Sequence, residues 1–189
     1  MSSALATARF WLLWSVFYVN IAVGIMLIAL AKPMAQDLGG LSGSALLAVV
    51  PTLAIFNAAG RLGWSSLSDF IGRPATFLAM LAIQVALFSA LPSVQGAVFF
   101  LALMLIISCY GGGFALTPAY IADLFGGRST GPIYGAALAA WSAAAISGPP
   151  LGAYLVEYAG GYGPAIYAAA GLLVIGAILV MLLARLSRK

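Results

Sequence analysis

The run Gly60-Arg61-Leu62-Gly63-Trp64-Ser65-Ser66-Leu67-Ser68-Asp69-Phe70-Ile71-Gly72-Arg73-Pro74 decides how this chain folds. Apolar stretches flank it, from Ala45 to about Leu67 and from Thr76 to Leu91. Between them stand Asp69 and Arg73, four residues apart, with Gly72 able to adopt a tight turn that a side chain would resist. Two apolar helices joined by a short charged turn are a membrane hairpin. The Asp69 carboxylate is placed either to cap a neighbouring helix or to pair with an arginine at the same surface. The plain alternative is an ordinary charged loop between two spans.

The rest of the chain follows the same pattern. Hydrophobic residues make up 64% and charged residues 6%, against about 25% charged in soluble domains. So few charges cannot keep a folded surface dispersed in water, so lipid must be the solvent for most of the chain. A helix needs roughly 20 apolar residues to cross a bilayer core. Six stretches are read as spans: Phe10 to Ala31, ended by Lys32-Pro33; Ala45 to about Leu67; Thr76 to Leu91, stopped by Pro92; Ala97 to Ile121; Ile133 to Val156; and Pro164 to Ala184. The first is too long for a signal peptide and lacks a small-residue cleavage site. The expectation is an all-α membrane protein, residues 1–189 forming a single six-helix transmembrane domain with neighbouring helices antiparallel.

Basic residues then orient the chain. With six spans both termini lie on one side, together with Arg9, Arg73, Arg128, Arg185, Arg188 and Lys189, and only Lys32 lies opposite. That predicts a multi-pass protein of the cell (inner) membrane with both termini cytoplasmic. The spread of these charges between helices does not form the clustered patch that nucleic acid requires. Histidine is absent and Cys109 is the single cysteine, which removes histidine metal sites and any internal disulfide. No cofactor is expected. Intramembrane catalysis is disfavoured, because no span carries a nucleophile with a base at helical spacing.

Arg61 is the most informative residue. It precedes Asp69 by eight positions, which lifts it about 12 Å from the surface at ~1.5 Å per residue. A guanidinium near mid-membrane costs on the order of 2.5–3.5 kcal/mol on insertion scales, so it should face a bundle interior or a wet cavity. Asn57 lies one turn before it and Trp64 nearly one turn after, which makes one face of this helix polar at depth. An anion site and a structural role (an ion pair, or snorkelling to the surface) both fit the position, although no acidic residue lies at matching depth. Glycine and proline inside the spans, at Gly111-Gly112-Gly113, Pro118 and Gly148-Pro149-Pro150, are tolerated in membranes. The G-x-x-x-G pairs Gly131/Gly135 and Gly148/Gly152 suggest close helix approach.

The Gly60–Arg73 run resembles the signature loop of major-facilitator transporters, which joins the second and third helices of each six-helix half. Asp69, Gly72 and Arg73 match that loop. Ser65 stands where glycine is usual, and Phe70 and Pro74 where basic residues are common, a weakening typical of second halves. Ile55-Phe56-Asn57-Ala58-Ala59-Gly60-Arg61, Cys109-Tyr110-Gly111-Gly112-Gly113-Phe114 with Pro118-Ala119, Asp123-Leu124-Phe125-Gly126, Tyr134-Gly135 before Trp141, and the opening Phe10-Trp11-Leu12-Leu13-Trp14 resemble the oxalate/formate antiporter family of organic-anion carriers. The resemblance implies helices seven to twelve of a twelve-helix transporter, and it implies that Arg61 is the family's carboxylate-binding basic residue. Trp141 stands where oxalate carriers place a second cation, a lysine, which implies a monocarboxylate such as formate or lactate rather than a dianion. Trp141 is expected to shape an apolar pocket or to stack on Arg61. Tyr110 and Tyr134 are candidate cavity hydroxyls or packing residues. Asp69 and Arg73, with Gly72, would form a gate that breaks on rocking.

One half of such a carrier is incomplete. The partners implied are a small organic anion, the lipid bilayer and either a missing or separately encoded N-terminal half or a second copy in a homodimer. The first of these, a piece of a longer carrier, is preferred, because the motifs belong to a second half. The competing reading is a non-transporting membrane protein or inactive fragment acting in assembly or sensing.

Overall fold

The computed structural model describes residues 2–187, with side chains from residue 4 onward. Arg188 and Lys189, expected on the same side as Arg9, lie outside the described residues. Among the described residues the chain is helical, with no strand. A short α1 (Ser2–Leu5) leads into α2 (Ala8–Asp37), α3 (Gly43–Ile71), α4 (Arg73–Ala90), α5 (Gly96–Phe125), α6 (Thr130–Ala137), α7 (Ala139–Tyr158) and α8 (Tyr162–Ser187). Five helical stretches are long and apolar enough to cross a membrane: α2, α3, α4 with the short 3₁₀ turn after it, α5 and α8. The expected fifth span, Ile133 to Val156, is not among them. It is divided at Leu138, whose amide hydrogen-bonds the Tyr134 carbonyl at 2.9 Å before α7 resumes. Its residues are dominated by Ala, Gly, Ser and Pro, which give it little hydropathy of its own.

The first span also runs further than expected. Lys32-Pro33 does not end it, and α2 continues to Asp37. Proline removes the amide that would bond to Ala29, but Ala29, Lys32 and Pro33 lie on the exposed face. The next residues, Met34 and Ala35, are buried in the core and hold the last turn in place. At the other end Thr7 caps α2, its hydroxyl accepting from the Phe10 amide at 3.3 Å.

Helices α2 and α5 form the centre. Phe17, Ile21 and Leu27 of α2 and Leu103, Ile107 and Leu116 of α5 are fully buried. Helix α3 packs on α5, α7 packs on α2, and α8 lies between α2 and α4. The α3–α5 contact is made of glycines. A Cβ at Gly60 would fall on the Ser108 backbone, and one at Gly111 on the Asn57 carbonyl. Backbones therefore touch here, as small residues permit between membrane helices. Gly148 and Gly152 do the same for α7, resting on the Ala22 carbonyl and on Met26 and Leu30. Gly131 and Gly135 do not, since nothing stands within 4 Å of where their Cβ atoms would be. Accordingly Gly131→Ala should change thermal stability by no more than about 0.5 kcal/mol, whereas Gly148→Val should lower it by about 1–3 kcal/mol through overpacking. Parallel melting curves of the two variants check this contrast.

Helix ends are tied at both poles. At one, Arg9 at the start of α2 donates to the Leu186 carbonyl of α8 at 2.9 Å, and Arg73 at the start of α4 reaches Asp123 near the end of α5 at 3.3 Å. At the other, Tyr162 donates to Asp37 at 2.7 Å, and the Gly96 amide bonds to the Gly39 carbonyl at 2.8 Å. Arg9, Arg73 and Arg185 thus gather at one end of the bundle. Helix α3 keeps a long face uncovered: only Val49, Leu53, Gly60 and Ser68 of its residues are buried.

Candidate functional site

Helix α3 is unbroken from Gly43 to Ile71, so the two-turn rise from Asp69 to Arg61 is preserved. Arg61 is exposed on the uncovered side of the bundle. Its Nε donates to Asn57 Oδ1 at 3.3 Å, one turn away on the same helix. Among the described residues its guanidinium has no carboxylate partner, because both ion pairs belong to Arg73. The ion-pair alternative for Arg61 therefore finds no support inside this bundle. Instead the guanidinium carbon stands 5.2 Å from the centroid of the Phe114 ring on α5, within the range of a cation–π contact.

Phe114 is the hub of the site, and sequence reasoning did not single it out. Tyr110 meets it edge-on at 5.4 Å, Trp141 at 6.2 Å and Phe17 at 5.2 Å. Tyr134 reaches Phe17 at 6.4 Å. Four helices and α6 thus place one cation and five aromatic rings around a single point. Of the two roles expected for Trp141, stacking on Arg61 is not seen: Phe114 takes that place, and Trp141 meets Phe114 edge-on instead. The reason is reach. Phe114 lies one turn beyond Gly111, where α3 and α5 touch backbone to backbone, and this brings its ring within reach of Arg61. A lone phenylalanine after three glycines carries no periodic signal that would have marked it.

The other expected residues divide. Asn57 and Arg61 do share a face and a hydrogen bond. Trp64 turns away into α5, where its indole donates to Ser108 Oγ at 3.3 Å and its side chain fills the space left by Gly112. Tyr110 is buried and its ring covers Gly24 of α2, so it is a wall of the site. Trp141 is 48% exposed and Tyr134 half-buried, both open to whatever covers this face. Replacing Phe114 with Leu keeps an apolar wall but removes the ring face under Arg61. It should remove a contact worth about 0.5–2 kcal/mol, as melting curves of the purified variant would show.

The signature loop forms a second cluster. Gly72 ends α3 with φ +85° and ψ +153°, a region essentially restricted to glycine. It lets α4 start at once with Arg73-Pro74, and the Thr76 hydroxyl donates back to the Gly72 carbonyl at 2.9 Å. Arg73 then pairs with Asp69 at 2.7 Å and Asp123 at 3.3 Å and also donates to Ser68. One arginine therefore clamps the ends of α3, α4 and α5. Asp123, known from sequence only as the start of the Asp123-Leu124-Phe125-Gly126 motif, is the arginine's second partner. Exposed pairs of this kind contribute roughly 0–1 kcal/mol each to stability.

The loop and the mid-helix arginine point to one family. Residues 9–189 match the Major Facilitator Superfamily. The chain belongs to that superfamily. It is oxalate/formate antiporter-like, being 34% identical over 152 residues to the oxalate:formate antiporter of Oxalobacter formigenes, with 79% of this chain and 36% of that protein covered. It is 29% identical over 140 residues to apicoplast pyruvate carrier 1 of Toxoplasma gondii, covering 70% of this chain and 26% of the relative. An uncharacterised MFS-type transporter of Escherichia coli K12 is 26% identical over 140 residues, 71% of this chain and 34% of that protein. The chain thus spans about a third of the length of these relatives. They are transporters rather than enzymes, and several helices here are able to cross a membrane, so this is a multi-pass membrane protein of a transporter family.

Proposed function

We propose that this chain is the C-terminal six-helix half of a secondary carrier for small organic anions, with monocarboxylates such as formate or lactate as substrates. The observation that carries this reading is Arg61: a cation two turns inside a span, held by Asn57 and Phe114 and, among the described residues, without a carboxylate partner. Its charge is free for a ligand's carboxylate, and the surrounding rings would exclude water and strengthen the attraction once the other half covers this face. In this reading α6 and α7 together form the fifth of six crossings. The arginine-bearing end of the bundle is cytoplasmic, in the cell membrane. The uncovered faces of α3 and α7 receive the other half, supplied by the rest of a longer chain, a separate polypeptide or a second copy. Rocking of the halves exposes Arg61 to each side in turn, and the Asp69–Arg73–Asp123 clamp holds one of the two states.

Selectivity rests on Trp141. It offers no second charge opposite Arg61, so one carboxylate is neutralised and a second would be desolvated without a partner. The relatives' names, an oxalate:formate antiporter and a pyruvate carrier, bracket the same choice between dianion and monoanion. Trp141→Lys should therefore shift preference from monocarboxylate towards oxalate by at least tenfold in competitive uptake by the assembled carrier. An unchanged preference would remove Trp141 from the selectivity site.

A further inference from the structure

A hollow of about 230 Å³ begins one turn from Arg61, on the side away from the arginine-bearing end of the bundle. It is lined by Ile28 of α2, Val50, Leu53, Ala54 and Asn57 of α3, and Ile107 of α5. Leu53 and Ile107 are buried and form its floor, while Ile28, Val50 and Ala54 are its exposed rim. Positions 50, 53, 54, 57 and 61 keep the spacing of a single helix face, so the hollow and Arg61 share one side of α3. Exposed apolar side chains alone are ordinary against lipid. Asn57 distinguishes this wall. Its Oδ1 accepts from Arg61 Nε at 3.3 Å, and its amide nitrogen carries further donors. A carboxylate held by the guanidinium therefore sits at the rim of an apolar hollow. The helix also changes character across Arg61. Towards Asp69 it carries Ser65, Ser66 and Ser68, whereas towards its start the Arg61 face is Ala54, Leu53 and Val50.

We infer that the substrate is a monocarboxylate with an aliphatic tail, its carboxylate on Arg61 and the Asn57 amide and its tail in the hollow floored by Leu53 and Ile107. This rests on the anion site proposed above and names the class of anion it takes. From Asn57 to Val50 the wall runs two turns of α3, about 10 Å, which accommodates a chain of about six carbons. Water in the hollow finds hydrogen-bonding side-chain groups only on Asn57, so methylene groups that replace it are favoured. Each methylene that enters should tighten binding about threefold. Formate has no tail to place there, and lactate brings a single methyl group. A second carboxylate in the hollow would meet no cation, so the same wall that accepts a tail rejects a long dianion.

The test is titration of the melting temperature of the assembled carrier with formate, butanoate, hexanoate and neutral 1-hexanol. Hexanoate should bind roughly thirtyfold or more tightly than formate, with butanoate between them. The alcohol has the tail without the charge and should bind far more weakly than hexanoate. Ala54→Phe, which fills the hollow, should reduce the hexanoate preference over formate to about threefold or less. Ile28→Ser makes the rim polar without filling it; it should reduce the preference several-fold, and it decides the point if the larger side chain prevents assembly. Equal binding of formate and hexanoate, both lost in Arg61→Ala, would overturn the tail pocket and leave the anion site standing, the hollow then being filled by the first half. A hexanoate preference unchanged in both hollow variants would place the tail elsewhere and overturn the inference as well. Carboxylate binding that survives Arg61→Ala, or no binding of any carboxylate, would overturn the anion site and the tail pocket together.

Discussion

Arg61→Ala in the assembled carrier should abolish carboxylate uptake while leaving the protein folded. Removing one partner of a desolvated, hydrogen-bonded charge pair costs about 2–5 kcal/mol of binding, or roughly thirtyfold to several thousandfold in affinity. Stability should change little, because Arg61 is exposed and its protein contacts are one hydrogen bond to Asn57 and the face of Phe114. Stability should even rise slightly in lipid, since an intramembrane guanidinium is costly to insert. Arg61→Lys keeps the charge but loses the planar fork that lies over Phe114 and binds a carboxylate through two donors. It should retain transport with a raised KM. Radiolabelled formate or lactate uptake into proteoliposomes separates the three proteins. Full uptake by Arg61→Ala would sink the anion-site reading.

The second large effect concerns the α3–α5 seam. Gly60→Val and Gly111→Val each place side-chain atoms where the facing backbone already stands, at Ser108 and Asn57. Backbone cannot move aside as a flexible side chain can, so each variant should lose about 3 kcal/mol or more, at the top of the range for overpacking. The same seam sets the distance from Arg61 to Phe114, so carboxylate binding should fall with stability. Gly63→Ala, three residues on in α3 but with nothing within 4 Å of its Cβ, is the matched control and should melt within about 0.5 kcal/mol of wild type. Detergent melting curves of the three variants decide the point. Wild-type melting of Gly60→Val would show that the two helices separate more readily than their backbone contact implies.

Much of this architecture could be read from sequence because the relevant physics is local. Long apolar runs specify spans, and Gly72 before Arg73-Pro74 specifies a hard turn. The depth of Arg61 along its span follows from counting residues on one helix. Two features were misread because tertiary packing decides them. Lys32-Pro33 reads as a stop, yet Met34 and Ala35 are drawn into the core and carry α2 on to Asp37. Gly131/Gly135 and Gly148/Gly152 have identical spacing, but only the second pair meets a neighbouring helix. The site was half legible. Arg61 and Asn57 announce themselves as polar residues in apolar surroundings, whereas Phe114 is one aromatic among many and becomes special only when α5 is laid against α3. The same holds for Asp123, fifty residues from the arginine it meets.

The most direct measurement is the thermal stability of the purified protein, paired with its first half, against formate, lactate, pyruvate and oxalate, run beside Arg61→Ala. Ligand that binds only the folded state stabilises by about 2.7 kcal/mol at a hundredfold excess over Kd. The account predicts stabilisation of wild type by the monocarboxylates, a weaker effect of oxalate, and none in Arg61→Ala. Equal stabilisation of Arg61→Ala, or no stabilisation of wild type by any of the four anions, would contradict it.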